Sequence, residues 1–149
     1  MRLTKATVRT EHKRIRSDDR VVPLIAATRD RLGKAFGVEV RHISDQEYQD
    51  EVDIVFADGD LAVNIAALAG LLRDLDVKND YPGFVVDELL GRELAGTIAS
   101  THGRAYSLLA EATFHYADVH TDAGGDENAG VDDLTAALAA GFQTRLPGW

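Results

Sequence analysis

The segment Leu61-Ala-Val-Asn-Ile-Ala-Ala-Leu-Ala-Gly-Leu-Leu-Arg-Asp-Leu75 has the most regular hydrophobic periodicity in this chain of 149 residues. Its large aliphatic residues recur three or four positions apart, the spacing that places side chains on one face of an α-helix. The leucine stripe formed in this way consists of Leu61, Ile65, Leu68, Leu72 and Leu75. The pattern predicts a helix that has Asp60 as its N-cap and buries the leucine stripe in a core.

Four other segments show helical spacing. The first follows Asp18 and Asp19, which are predicted to cap it, and stops at Gly37. A second is predicted to open at Pro82. The predicted faces are Val21, Ile25, Leu32, Ala35 and Phe36 with Thr28 as the polar member; Val86, Leu90, Leu94 and Ile98; Ala105, Leu108, Leu109, Ala112, Tyr116 and Val119; and Val131, Leu134, Leu138 and Phe142. The Gly-rich and acidic run His120–Gly130 predicts a loop, and Pro147-Gly148-Trp149 ends the last helix.

Three segments favour β-strands over helices. Residues 2–10 are rich in Thr and Val, Val38–Ile43 alternates between apolar and polar residues, and Val52–Ala57 is a short apolar run. The last two are predicted to pair as a hairpin across Ser44–Glu51. The predicted fold is therefore a single α+β domain over residues 1–149, dominated by about five helices, with an N-terminal strand.

The charges are divided unevenly along the chain. Residues 1–20 hold seven Lys or Arg against three acidic residues, whereas residues 21–149 hold nine against 22. The sequence therefore predicts a basic arm, residues 1–16, joined to an acidic body, and an arm of this kind suits docking onto an acidic neighbour. Its predicted contact residues are Arg2, Leu3, Lys5, Val8, Arg9, Lys13, Arg14 and Arg16. Basic arms also bind nucleic acid, but the acidic body opposes that role, and the remaining alternative is an edge strand that Lys and Arg protect from aggregation.

Composition limits the classes of protein. Cysteine is absent, which excludes disulfides and thiolate sites. The longest uncharged stretch, Leu61–Leu72, is 12 residues, whereas a membrane-spanning helix needs about 20. The N-terminus has no apolar signal region. We expect a soluble protein located in the cytoplasm or, if viral, in a virion, with no membrane partner.

The acidic residues are 17 Asp against 8 Glu, and the basic residues are 12 Arg against 4 Lys. An Asp-rich, Lys-poor surface is typical of proteins adapted to high salt, in which screening reduces self-repulsion. A GC-rich genome also favours Arg over Lys, so the two explanations remain open.

One His/Asp cluster carries residues of the kind that bind Zn, Mn or Fe. It consists of His115, Asp118, His120 and Asp122. On a helix His115 and Asp118 share a face, but His115 and His120 are five positions apart and align poorly. No second cluster accompanies it upstream, so the alternative is a histidine-bearing helix end that runs into a solvated loop.

Three other motifs are weaker. The 12-residue segment Asp122–Asp133 has the length of an EF-hand loop but lacks its ligand pattern. The run Ile65–Gly70 is similar to the start of a helix-turn-helix, yet the residues after it are too acidic for a recognition helix. Asp58-Gly59-Asp60 fits a strand-to-helix turn better than a magnesium site.

These observations favour a non-enzymatic assembly protein that needs no cofactor and whose partners are further copies of itself and neighbouring assembly proteins. A neck, connector or tail component of a tailed virus of a halophilic host fits the size and the charge division. The alternatives are a small metal-dependent enzyme that uses the His115–Asp122 cluster and a DNA-binding regulator.

Overall fold

A computed structural model describes residues 2–75, 85–99, 103–122 and 129–148 of the chain. Over these residues the secondary structure is entirely helical and no strand is present, so the predicted α+β class is wrong. The helices are α1 (Lys5–Arg16), α2 (Val21–Phe36), α3 (Asp45–Ala57), α4 (Gly59–Asp74), α5 (Val85–Ala99), α6 (Gly103–Asp122) and α7 (Ala129–Gln143). The described residues therefore form seven helices, whereas about five were predicted.

Helix α7 forms the centre of the fold and packs against α2, α3, α4, α5 and α6. Residues 132–143 of α7 are buried, and its predicted face is confirmed at Leu134, Leu138 and Phe142. Alanine and glycine allow neighbouring helices to approach closely. A Cβ atom added to Gly141 would lie 2.7 Å from the Cβ of Ile98 on α5, so the contact between α5 and α7 requires glycine at this position.

The predicted N-terminal strand is wrong, because most of residues 2–10 belong to α1. Thr4 caps this helix: its hydroxyl accepts from the Thr7 amide at 3.1 Å, and the Thr7 hydroxyl accepts from the Thr4 amide at 2.8 Å. Glu11 and Ile15, four positions apart, are buried on the inner face of α1. This cap and the tertiary burial outweigh the strand preference of Thr and Val.

The predicted hairpin is also wrong. Val38–Ile43 is irregular, and Val52–Ala57 forms the second half of α3. The supposed loop between them starts a helix, because Ser44 and Glu47 form a reciprocal capping box. The buried residues of α3 are Tyr48, Val52 and Val55, which follow a helical rather than an alternating pattern.

The predicted end of α2 is confirmed, since Gly37 ends the helix in the left-handed conformation at φ 69°. The predicted face is wrong at Ala35 and Phe36, which are exposed. Thr28 is buried as predicted and donates to the carbonyl of Ile25. The N-terminal prediction is wrong: the N-cap is Arg20 and makes no side-chain capping bond. The carboxylate of Asp18 instead accepts from the Arg20 amide.

Helix α4 follows the predicted leucine stripe with one correction, because Asp58 rather than Asp60 is its N-cap. Ile65 and Leu72 are fully buried, whereas the other three members of the stripe are partly buried against the core. On α5, Leu94 and Ile98 are buried as predicted.

The predicted face of α6 is wrong. Leu108 and Val119 are exposed, whereas Thr113, Phe114 and Ala117 are buried. The face of α6 that packs in the core is therefore the one that carries Phe114. Several predictions lie outside the residues or side chains that the structure describes: Pro82, the side chains of Val86 and Ala105, residues 123–128 and Trp149.

Candidate docking groove

Helix α1 places the predicted arm against the body of the molecule, where it packs on α3 and α4. On its buried side, Arg73 Nε of α4 donates to Glu11 Oε1 at 2.7 Å, and the Tyr48 hydroxyl of α3 donates to the carbonyl of Ile15 at 2.7 Å. Burial raises the pKa of Tyr48 well above its usual value. The arm is thus a helix that is part of the fold rather than an extended segment.

A second polar contact joins the side of α1 to α3. His12 Nε2 lies 2.8 Å from Asp53 Oδ1, and Arg16 Nε donates to the same oxygen at 3.1 Å. Burial raises the pKa of Asp53, but the hydrogen bonds from His12 and Arg16 lower it more, so it stays below its ordinary value. The His12 ring stacks on Phe56 with 4.6 Å between centroids. Arg16 therefore contacts its own chain.

The other cations of the predicted arm point outward. Arg2, Lys5, Arg9 and Lys13 are exposed, and none of them has an ion pair within the described residues. Arg14 is also exposed, and its NH1 lies 3.9 Å from Glu11. The role of this segment in binding a partner stays a prediction.

Between α1 and the junction of α3 with α4 lies a groove of about 500 Å³. Its apolar lining is Leu3, Val8, Phe56, Ala62 and Val63, its polar lining is Thr4, Lys5 and Arg9, and Gly59 also lines it. Leu3 and Val63 keep 42% and 44% of their surface exposed. The groove is therefore an apolar surface that two unpaired cations border.

Half of this groove was predictable. Leu3, Lys5, Val8 and Arg9 belong to the predicted arm, but the opposite wall was missed. The strand assignment of Val52–Ala57 hid the helical face on which Phe56 lies, and Val63 falls outside the leucine stripe. The available signal was Val63 itself, an apolar residue that the helical pattern places off the leucine stripe.

The candidate metal ligands are not brought together to form a site within the described residues. His115 is exposed with its ring edge-on to Tyr116, and Asp118 is partly buried. His120 instead lines a separate cavity of about 340 Å³ with Arg31 and Tyr116. Asp122 ends α6, and its side chain lies outside the described part of the chain. Across that part, no three His, Asp or Glu residues are placed to hold a metal ion.

The structure also bears on two of the weaker motifs, the segment of EF-hand length and the Ile65–Gly70 run. Asp132 and Asp133, at the end of the EF-hand-length segment, are buried in the first turns of α7, and residues 123–128 lie outside the described residues. The helix-turn-helix interpretation is wrong, because α4 continues without a turn from Gly59 to Asp74.

A third cavity, of about 550 Å³, borders the buried residue Arg29. Its guanidinium donates to Gln143 Oε1 at 2.6 Å and to the carbonyl oxygens of Arg41 and Pro147. Burial and the Arg41 cation lower the pKa of Arg29 to about 10. These contacts join α2 to the C-terminal segment, so Arg29 stabilises the fold.

The comparisons with known proteins give a family. A family model described as a domain of unknown function, DUF7984, matches residues 1–149. The chain belongs to this family. No curated protein and no solved structure matches the chain significantly. The description of the DUF7984 family names no activity.

None of the helices in the described part of the chain has the length and apolar composition to cross a bilayer by itself. The consecutive helices α3 and α4 meet the length and composition criteria only as a pair, and they are bent by 110°.

Proposed function

We propose that this protein is a non-enzymatic assembly subunit whose α1 groove binds an acidic, apolar surface of a second copy of the same chain. One observation carries the proposal: an open apolar groove lies beside cations that have no ion pair within the described residues. Exposed apolar patches with polar borders are typical of protein interaction sites.

The chemistry of the groove favours binding over catalysis. Among the described residues, the functional groups that line it are one hydroxyl and two cations, from Thr4, Lys5 and Arg9. The lining contains no carboxylate or imidazole that could move a proton at neutral pH. Apolar side chains from a partner would lose water contact here, which is the main driving force of association.

Charge supports a second copy as the partner. Residues 21–149 carry 13 more acidic than basic residues, so the body of another copy is an acidic surface for the basic rim. Complementary charge steers encounter and sets specificity more than it adds affinity. Lys5 and Arg9 are therefore expected to orient the contact, and Leu3, Val8 and Val63 to supply the buried area.

The test is the mass of the full chain in solution, measured by sedimentation over a range of concentrations in low and in molar KCl. We expect assemblies heavier than the 16.2 kDa monomer. Val63→Glu should dissociate them, because it places a carboxylate in the apolar groove, while circular dichroism stays helical.

The matched control is Ile54→Glu. Ile54 is also an exposed β-branched residue, at 58%, on a neighbouring helix, but it does not line the groove. The control should keep the wild-type mass. A monomeric wild type at all concentrations, or an unchanged mass for Val63→Glu, would contradict the proposal.

The virion location and the halophilic host remain predictions from composition. The metal-dependent alternative is tested by metal analysis of the purified protein, in which one equivalent lost on His120→Ala would favour the enzyme. The DNA-binding alternative is tested by salt-dependent binding of the chain to duplex DNA.

A further inference from the structure

The segment 36–39, here called the Phe36 loop, projects an aromatic side chain into solvent. Phe36 is 75% exposed, more than any other large apolar residue of the described chain, and Val38 is 55% exposed. Glu39 is exposed and has no ion pair among the described residues. The loop therefore combines two apolar side chains with one free carboxylate.

The Phe36 loop is held in a fixed conformation. Gly37 has a φ of 69°, which turns the chain sharply after α2, and the Val38 amide donates to the carbonyl of Gly33 at 2.8 Å. The far end is fixed as well, because buried Arg29 donates to the carbonyl of Arg41. A preorganised loop loses little conformational freedom when it binds.

The Phe36 loop and the groove flank opposite ends of α3. Arg41, just beyond the loop, donates to Glu47 in the first turn of α3 at 2.7 Å. Phe56, at the other end of α3, lines the groove. The 13 residues of α3 span about 20 Å, and this separation favours contact of the loop with the groove of a different copy over contact with its own.

We propose that the Phe36 loop of one copy occupies the α1 groove of the next. This inference rests on the proposed function and names the docking segment. Phe36 and Val38 fill the apolar lining, and Glu39 pairs with Lys5 or Arg9 at the rim. Aromatic anchors in complementary pockets supply most of the energy of typical interfaces.

The contact joins two different surfaces, so it is heterologous. Repetition of a heterologous contact gives a closed ring or an open filament. Copies of this chain are therefore expected to associate head to tail, with each copy giving its loop and receiving the loop of its neighbour.

The first test uses Phe36→Ala, with Leu108→Ala as the control because Leu108 is 69% exposed but lies on α6. The dissociation constant should rise about tenfold or more for Phe36→Ala and stay at the wild-type value for Leu108→Ala. If Phe36→Ala assembles like the wild type while Val63→Glu does not, the loop is not the occupant and the proposed function still stands.

The second test mixes the two defective variants. Val63→Glu keeps its loop and Phe36→Ala keeps its groove. At a concentration at which each variant alone is monomeric, the mixture should form one-to-one dimers. A mixture that stays monomeric would contradict the loop assignment.

A charge exchange tests the rim separately. Glu39→Lys and Arg9→Glu should each weaken assembly, and a chain that carries both substitutions should recover it. Weakening that the double variant does not reverse would show that Glu39 does not lie at this rim. All variants are checked for helicity by circular dichroism.

Discussion

Helices α1 and α7 stabilise the protein in different ways. Residues 132–143 of α7 are buried among five neighbouring helices. Most of them are apolar, and the buried polar residues include Asp132, Asp133 and Gln143, which accepts from Arg29. Helix α1 buries only Glu11 and Ile15, and its sides are joined to the body by the Glu11–Arg73 and His12–Asp53 pairs. The comparison shows that α7 forms the core, whereas α1 presents an outer surface that remains available to a partner.

The largest effect is expected in α7. Leu138 is fully buried, so Leu138→Ala should lower the free energy of unfolding by about 2–5 kcal/mol. Urea denaturation followed by circular dichroism measures the change. The exposed residue Leu108 provides the control, and Leu108→Ala should change stability by less than about 0.5 kcal/mol. Equal effects at the two positions would contradict the central place of α7.

A smaller effect is expected at the inner contact of α1. Glu11→Ala removes the carboxylate that pairs with Arg73, and 6% of the Glu11 side chain is exposed. Loss of one partner of a buried hydrogen bond should cost about 1–3 kcal/mol. Arg14→Ala serves as the control because Arg14 is exposed and its NH1 is 3.9 Å from Glu11. A destabilisation by Arg14→Ala as large as that by Glu11→Ala would refute this packing.

Removal of residues 1–12 is a less specific experiment than these substitutions. The truncation would take away Glu11, His12 and the Thr4 cap together with the groove residues Leu3 and Val8. It would therefore destabilise the fold and remove the groove at once. Single substitutions separate these effects.

Acid should weaken the link between the Phe36 loop and α3. The bond from Arg41, and then that from the Ser44 amide, lower the pKa of Glu47 from 4.5 to about 2. A pKa lowered by folding means that Glu47 stabilises the fold above pH 4.5 and loses this effect as the pH falls toward 2. In thermal melts, Glu47→Gln should therefore lose less stability over this range than the wild type. The control is Glu93→Gln, because Glu93 is exposed on α5 and no ion pair is found for it among the described residues.

The smallest effect is expected on the outer face of α1. Lys13 is exposed without an ion pair in the described chain, so Lys13→Gln should change the free energy of unfolding by less than about 0.5 kcal/mol. Urea denaturation is again the measurement. A cost above 1 kcal/mol would show that this face is structural.

The sequence predicted helices whose buried faces are apolar and missed helices that carry polar or charged residues in important positions. Helices α2, α4 and α7 were predicted because their buried faces are rich in Leu, Ile and Val with period 3.6. Helix α1 was missed because residues 2–10 are rich in Thr and Val, which favour strands, and because its buried face includes the charged residue Glu11. Helix α3 was missed because its polar first half, capped by Ser44, resembles a loop.

The docking groove required tertiary information. The sequence identified Leu3, Lys5, Val8 and Arg9, but Phe56 and Val63 reach the groove only through the bend between α3 and α4. The Phe36 loop carries no sequence signal either, since Phe36 was assigned to the buried face of α2. Phe36 is instead the last residue of α2, next to the turn at Gly37, and its side chain is exposed.

The central claim is that the Phe36 loop of one copy lies in the groove of another. The chain contains no cysteine, so Val38→Cys and Val63→Cys each introduce a single thiol while Phe36 stays in place. The two variants are mixed and treated with a short bis-maleimide, and the products are identified by mass spectrometry. The account predicts dimers that join Cys at position 38 to Cys at position 63, formed in excess over either self-linked pair. Cross-linking no more frequent than with Leu108→Cys in place of Val63→Cys would contradict it.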